Sequence, residues 1–419
     1  MFHDRSALAD PALYAASAVL AVIIALGAGI PLFREWGRLA APAYAAAAIV
    51  ALLLAVRRRE GARPVLGWLA LAVLVGAAAL PLGLEAVWRA RIGPGSHAQS
   101  EAIVTEEAAR SLRKGLDPYA AEYLHGPLEA RPLGTKTHFP YLPAMLAFGL
   151  PRAFDGSSAL ADSRIAFAAF TLAVVAVAFS RPTLGRASPQ RRRMSFLVLA
   201  VLPTGALLMA TGGDDLPVLA LMLLALVLAE ERPAASGAVA GLAAVTKQTA
   251  WVLLPLLALA ARDREGRPAR WRFSLTAAAV VALGVVPFLA WGPADFVEDV
   301  IRFPLGLGRQ RSAAGTPTLG SALIRLLPSW RVPITLTLVG LVLAVFAFMV
   351  ARRPPAAAWA AAKDAGLVFF LAMLVAPAAR VGYIAYPIDL LVWAWALRAA
   401  EAPSPTASLP TGRQGAGGM

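Results

Sequence analysis

The sequence predicts an all-α polytopic membrane protein, a bundle of about twelve transmembrane helices, on three observations. First, 59% of the residues are apolar and only 15% charged, with a mean hydropathy of +0.66; soluble domains run near half apolar and about a quarter charged. Second, roughly a dozen apolar runs approach the ~20 residues that cross a hydrocarbon core. Third, the arginines gather in short clusters between those runs, as cytoplasmic loops do. The same clustering argues against nucleic acid as the reason for the net charge of +14. There is no cysteine, which excludes disulfides, thiolate metal sites and cysteine nucleophiles.

The apolar runs fall at 13–33, 40–56, 65–88, 164–180, 194–211, 215–230, 235–248, 249–261, 273–291, 332–351, 364–378 and 382–398. The first has a weak basic flank and no small-residue cleavage site, so it is expected as a retained helix rather than a signal peptide. Segments 139–154 and 319–328 are too short or too interrupted by proline to span, and are expected as interfacial or re-entrant helices on outer-face loops.

Orientation follows from the basic clusters "RRREGAR" (57–63), "RPTLGRASPQRRR" (181–193), "RDREGRPARWR" (262–272) and "ARR" (351–353), all expected in the cytoplasm. This requires that 139–154 does not cross and that 235–261 crosses twice, as two short helices turning at Lys247-Gln248. Both termini are then cytoplasmic. A large loop, 89–138, a second, 292–331, and the short turns 211–215 and 379–381 lie outside. Arg34 and Arg38 fall in the first outer loop, against the rule. Residues 1–401 read as one transmembrane catalytic domain, and 402–419, rich in Pro, Gly and Ser, as a disordered cytoplasmic tail.

Lys247 is one of four lysines. At mid-bilayer it would cost about 2.5–3.5 kcal/mol, which places it at the outer tip of the hairpin; a snorkelling lysine is the alternative reading. In the large loop, 100–114 reads as an amphipathic helix whose Ile103, Val104, Ala108 and Leu112 suit a membrane surface. Gly115 ends it and Asp117-Pro118 opens a turn. Glu101, Glu106, Glu107 and Asp117 are the acidic candidates, most of them also explicable as a solvated face. Glu101 and Glu106 point in different directions, so one of the two faces a cavity. Asp214 and Asp215 follow two glycines at a helix start, as caps or as site groups, Asp215 being the better cap. Arg380, with Tyr383 and Tyr386 after it, suits a phosphate or anchors the chain at the interface. His97, His125 and His138 share the large loop at spacings that fit no metal motif, and the acidic groups form no DxD pair. No cofactor and no metal site is expected, with a divalent cation left open. Ionisable groups gathered at one face suit an enzyme acting on a lipid head group; a transporter more often buries them at the midplane.

This pattern resembles the GT-C class of membrane glycosyltransferases, and within it the polyprenol-phosphate-mannose-dependent mannosyltransferases of the family 87 type. The resemblance rests on the acidic residue of the first large outer loop, here Glu101, followed by an amphipathic helix, Gly115 and the "PY" pair at Tyr119. The family usually has Asp there and often Tyr four residues later; this chain has Glu101 and Thr105. It continues through "FPYLP" (139–143), through "GGDDLPVLALMLLALVLAEERPAASGAVAGLAAVTKQ" (212–248), and to the turn with Arg380, Tyr383 and Tyr386, spanning 65–398 in all. It implies an inverting transfer of a sugar, mannose by resemblance alone, from a polyprenyl-phosphate donor to a lipid or glycan acceptor. The site would face the periplasm or exterior of a cell membrane. Glu101 would be the base, with Asp215 and Asp117 the other catalytic candidates. Lys247, Arg380 and Gln248 would hold the donor phosphate, and Tyr119, Tyr141, Tyr383, Tyr386 and Asp214 would line the substrate. The other readings are a lipid-linked sugar transporter or flippase, an oligosaccharide ligase or phosphoryl-lipid transferase using the same groups, and a non-catalytic assembly partner.

Overall fold

A computed structural model describes residues 8–57, 62–263, 265–312 and 314–401. The expected disordered tail, 402–419, and most of the basic cluster 57–63 lie outside the described residues or their side chains. Every regular element among the described residues is helical, and the only strand-like pairing is an isolated bridge between Arg262 and Pro268.

The chain opens with an antiparallel pair, α1 (Ala9–Gly27) and α2 (Pro31–Val56), followed by α3 (Pro64–Ile92). Arg34 and Arg38 therefore lie in the first turns of α2 and not in a loop, because Pro31 at the first helical position starts the helix nine residues before the apolar run at 40. The large loop carries α4 (Ser100–Arg113), and after it come α5 (Leu146–Asp155) and α6 (Ser163–Phe179). Next are α7 (Pro189–Thr211), α8 (Asp215–Leu228), α9 (Pro233–Ala244), α10 (Gln248–Ala260) and α11 (Arg270–Trp291). A second long loop leads to α12 (Leu319–Leu326), α13 (Pro328–Arg352), α14 (Ala358–Val375) and α15 (Ala385–Glu401).

Seven helices among the described residues are long and apolar enough to cross a membrane: α1, α2, α3, α7, α11, α13 and α14. Four more, α6, α8, α9 and α10, are apolar but shorter. The short ones sit inside the bundle. α8 is apolar all round and each residue from Asp215 to Leu228 is buried, which is the pattern of a helix surrounded by other helices. By contrast α13 buries only Thr335 and leaves its apolar side chains half-buried or exposed, as a helix at the rim facing lipid does.

The stretch 235–261 is a hairpin. α9 ends at Ala244, Lys247 takes an extended conformation (φ −154°, ψ 143°), and a 3-10 turn starts α10. Its two ends return to one place: the Arg262 amide donates to the Ala229 carbonyl at 3.1 Å, beside the end of α8. The same end of the bundle gathers Arg181, Arg186, Arg232 and Arg262 around a cavity of about 750 Å³, with Glu231 accepting from Thr183 and Glu230 from the Ala358 amide. Two of the four basic clusters, 181–193 and 262–272, thus flank one end, and Asp215, Lys247 and Arg380 lie at the other.

Helix α4 departs from its expected setting. Ile103, Val104 and Ala108 are almost wholly buried, packed with Tyr119, Phe139, Met145 and Phe148 and not laid on lipid. The cover is α5, at 10 residues about 15 Å long and so too short to cross. Gly149 permits the contact: a Cβ there would stand 2.3 Å from the Thr105 carbonyl. Two buried aromatics also fix the first helices, Trp36 donating to the Ala77 carbonyl (2.8 Å) and Tyr44 to the Val201 carbonyl (2.6 Å). Both acceptors lie in five-residue π turns, Val75–Ala79 and Leu197–Val201, whose widened hydrogen bonding leaves carbonyls open to side chains.

If the arginine end is cytoplasmic, a cysteine at exposed Leu116 should react with an impermeant thiol reagent on intact cells. Cysteines at Ser188 and Glu265 should react only after permeabilisation. No native cysteine adds background. Labelling of the Ser188 position from outside would invert the topology and require α5 and its flanks to cross.

Candidate active site

The site is assembled by turns at the ends of helices. α7 ends at Thr211, and Gly212, at φ 106°, reverses the chain into α8; only glycine takes that conformation without strain, and a Cβ would meet Ala102 and Arg164 at 3.0 and 3.1 Å. The reversal sets Asp214 and Asp215 opposite the tip of the α9–α10 hairpin. Lys247 Nζ there donates to Asp214 Oδ1 at 2.7 Å and to Asp215 Oδ1 at 2.6 Å. Asp214 stands at the N-cap of α8 but makes no side-chain cap bond, so the capping reading gives way to an ion triad. The Tyr386 hydroxyl donates to the same Asp215 oxygen at 2.7 Å and lies 2.6 Å from Thr249 Oγ1, while the rings of Tyr141 and Tyr383 flank the ammonium at 5.5 and 5.3 Å. All three charged groups are buried. Burial at low dielectric is tolerable because the charges compensate, yet two carboxylates face one ammonium and leave one negative charge over.

Glu101, in the first turn of α4, is ion-paired with Arg380, and the two side chains are 6% and 38% exposed. Arg380 is thus the accessible cation of the site, and Lys247, at 5%, is not. Two carboxylate oxygens of this site are buried without any hydrogen-bond partner: Glu101 Oε2 and Asp214 Oδ2. Glu101, His138, Tyr141 and Arg380 line a cleft of about 30 Å³. That volume holds a water or two, not a sugar.

The remaining expected residues are placed elsewhere. Gln248 donates its carboxamide to the Pro140 (2.9 Å) and Val300 (2.8 Å) carbonyls and so ties the segment just after the first long loop to the second loop. Asp117 accepts from the Tyr119 amide within its own turn, and Tyr119 sits in an aromatic cluster with Phe139, Phe288 and Phe296, its hydroxyl on the Tyr141 carbonyl. Glu107 pairs with Arg110, one turn along α4. His125 is exposed.

A buried network that the sequence reading missed lies behind Glu101. Arg89 grips Glu106 with both terminal nitrogens (2.9 and 2.6 Å) and reaches Asp162 at 2.9 Å, while Arg164 holds Asp162 at 2.8 Å. Glu106 also accepts from the Ser163 amide and hydroxyl. Bidentate guanidinium–carboxylate pairs of this kind fix orientation as well as position. The network anchors α4 to α3 and α6 and so positions Glu101. "DSR" at 162–164, a cap residue starting an apolar run, was its one visible signal.

On the other side of the cleft, His138 stacks on Phe303 (4.0 Å between ring centres), with Nε2 3.7 Å from Glu298 and 3.9 Å from Asp299. Burial pushes its pKa down despite the backbone and Glu298 contacts, so it is a neutral imidazole at pH 7. Asp299, which accepts from the Phe139 amide at 2.7 Å, is pushed up to about 8, chiefly by burial and then by Glu298, Asp295 and Asp117.

The model of glycosyltransferase family 87 matches residues 139–377, more than half of the chain. The chain belongs to glycosyltransferase family 87. It is a multi-pass membrane glycosyltransferase of GT-C type. The match takes in Asp214, Asp215 and Lys247 and stops short of Glu101 and Arg380 at either side. No curated protein and no solved structure matches this family 87 chain.

Replacing Lys247 by Met strands two buried carboxylates in this transferase. The expected loss is about 3–5 kcal/mol, the usual result of removing one partner of a buried pair, read as a lower thermal midpoint in detergent. Adding Asp214→Asn should restore part of it. A Lys247→Met protein as stable as the parent would deny the triad a structural role.

Asp299 sets a pH dependence. Its pKa is raised above the ordinary 3.8 to about 8, so between those values the folded chain keeps a proton that the unfolded chain has released. Its contribution is therefore complete below about pH 4, shrinks as pH rises and is gone above about pH 8. Asp299→Asn keeps the oxygen that serves Phe139 but cannot ionise. The thermal midpoint of the variant should gain on the parent steadily from pH 5 to pH 8, and parallel curves would mean that Asp299 ionises normally.

Proposed function

We propose that the chain transfers a hexose, mannose on the family resemblance, from a polyprenyl-phosphate donor in the outer leaflet to a lipid or glycan hydroxyl, with inversion. The observation that carries the reading is the Glu101–Arg380 pair at the mouth of a cleft, with Glu101 Oε2 buried and unpartnered. Two ions paired at rest are suited to exchange: the donor phosphodiester brings an anion that competes for the guanidinium. Arg380 presents a planar fork that matches phosphate. When the phosphate takes Arg380, Glu101 loses its counter-ion and becomes a free carboxylate next to the acceptor.

The reaction then balances with one base and one cation. Glu101 takes the acceptor hydroxyl proton, the acceptor oxygen bonds to the anomeric carbon from the face opposite the phosphate, and the bond from that carbon to the phosphate oxygen breaks. The lipid phosphate leaves as a monoester carrying one more negative charge than the diester, and Arg380 stabilises that increment. Protonation of so good a leaving group is unnecessary. Lys247, expected beside Arg380 on the phosphate, is instead committed to Asp214 and Asp215, and is assigned the role of holding Asp214 Oδ2 toward the sugar hydroxyls. Gln248 keeps no free donor for a phosphate, since both its bonds go to loop carbonyls. Parting and reclosing of the loops 89–138 and 292–331 would exclude the water that hydrolyses the donor.

Membranes holding the protein, incubated with radiolabelled polyprenyl-phosphate mannose, should pass label into a new glycolipid or glycan. Glu101→Gln should lower that rate by about 10²–10⁴ while donor binding persists or tightens, because Arg380 is then unopposed. Arg380→Lys should raise the donor KM and also lower kcat, since the lost interaction grows toward the transition state. Label that crosses leaflets without a new covalent product would make the protein a carrier. Full turnover by Glu101→Gln would move the base to another carboxylate.

A further inference from the structure

A second cluster of ionisable groups stands apart from the site. His97, in the loop that leads into α4, has Nδ1 2.8 Å from Glu85 Oε2 and 3.1 Å from Glu35 Oε2. The three residues come from three separate places, α3, α2 and the loop, and their ligand atoms all lie within 4.8 Å of one another. A single Nδ1 proton serves two carboxylates poorly. Protonating the imidazole still leaves one negative charge over, and the nearby cation is already spent: Arg164 gives Nη1 to the His97 and Ala210 carbonyls and its other nitrogens to Asp162. Glu85 is wholly buried, and its second oxygen, Oε1, has no hydrogen-bond partner. A buried carboxylate with an unused oxygen, converging with a second carboxylate on an imidazole nitrogen, is a donor set awaiting a cation.

We propose that Glu35, Glu85 and His97 bind one divalent transition-metal ion, of zinc type by donor preference. One imidazole nitrogen and two carboxylates match zinc's ligand chemistry, with Glu85 able to supply both oxygens. Ligand atoms about 2.0–2.2 Å from a tetrahedral centre lie ~3.4 Å apart, so the observed separations need to open by only a few tenths of an ångström. Glu35 is 33% exposed at its side chain, which gives a path of entry and room for water as the remaining ligand. The His97 ring packs at a tilt against Trp88, with 5.6 Å between ring centres and 56° between planes. The ion would clip α2 and α3 to the loop four residues ahead of Glu101, making it a positioning site for the base and no part of the chemistry.

The test is metal content of the tag-free, full-length protein. It is stripped with EDTA in detergent, reloaded with zinc chloride or manganese chloride, passed through a desalting column and measured by mass spectrometry. One equivalent of zinc per chain is expected, with a raised thermal midpoint. Glu35→Gln, at the exposed arm where folding is least at risk, should weaken zinc at least tenfold, His97→Gln should abolish retention, and Glu107→Gln should retain it. Sub-stoichiometric metal in the parent, or unchanged zinc affinity in Glu35→Gln and His97→Gln, would overturn the proposal. Retention of manganese with rejection of zinc would overturn the assignment to zinc type. None of these readouts depends on the donor or acceptor of the transferase.

Discussion

A buried ammonium is the constraint around which the site end of this protein is arranged. Lys247 lies in a run that is otherwise almost all apolar, and an unpaired charge at such a position is too costly to keep. It is kept because two carboxylates reach it from the start of α8. That requirement dictates much else. The chain must turn at Lys247, which breaks 235–261 into a hairpin. Gly212 must reverse the chain so that Asp214 and Asp215 face the tip. Tyr386 must bring α15 in to share the Asp215 oxygen. Three helix ends converge as a result, and Arg380, five residues before the start of α15, is delivered to Glu101 by that same convergence.

Much of this was legible in the sequence, for physical reasons. A low-dielectric solvent restricts spanning structure to helices, so hydropathy reports the segments almost directly. The positive-inside rule forces a hairpin at 235–261, since a single helix would carry the arginines of 262–272 to the wrong side; the bond from Arg262 to Ala229 is what that argument required. Glu101 and Arg380 were visible as lone charges at helix ends, but not as partners of each other: 279 positions separate them, and one sequence carries no signal of long-range pairing. The setting of α4 was misread for a related reason. An amphipathic stripe shows that one face is covered, not whether lipid or protein covers it, and α5 with its Gly149 decides for protein. The Arg89–Glu106–Asp162–Arg164 network was hidden because its members look like ordinary loop charges until they are buried together.

The two sets of buried charge divide the labour. The network behind Glu101 is closed: both oxygens of Glu106 and both of Asp162 are engaged. Such a satisfied network is rigid. The set in front is open, with one oxygen of Glu101 and one of Asp214 unpartnered. Polar groups left unsatisfied in a buried place carry a free-energy cost that a ligand can relieve. In the proposed reaction the rigid set would hold α4 still while the open set exchanged partners.

The ion pair and the narrow cleft together imply an order of events. In the proposed reaction the cleft, closed to about 30 Å³, would keep an acceptor from Glu101 while Arg380 occupies the carboxylate. Both restraints would be lifted by the proposed donor, which would part the loops on entry and carry the anion that draws Arg380 away. A carboxylate engaged by Arg380 until that donor arrives would not activate water in the empty site, and the donor phosphate would be open to attack only after the loops had reclosed on an acceptor. On the proposed reading the pairing of Glu101 with Arg380 would favour donor binding before acceptor activation, through charge competition at one guanidinium rather than through any separate gate.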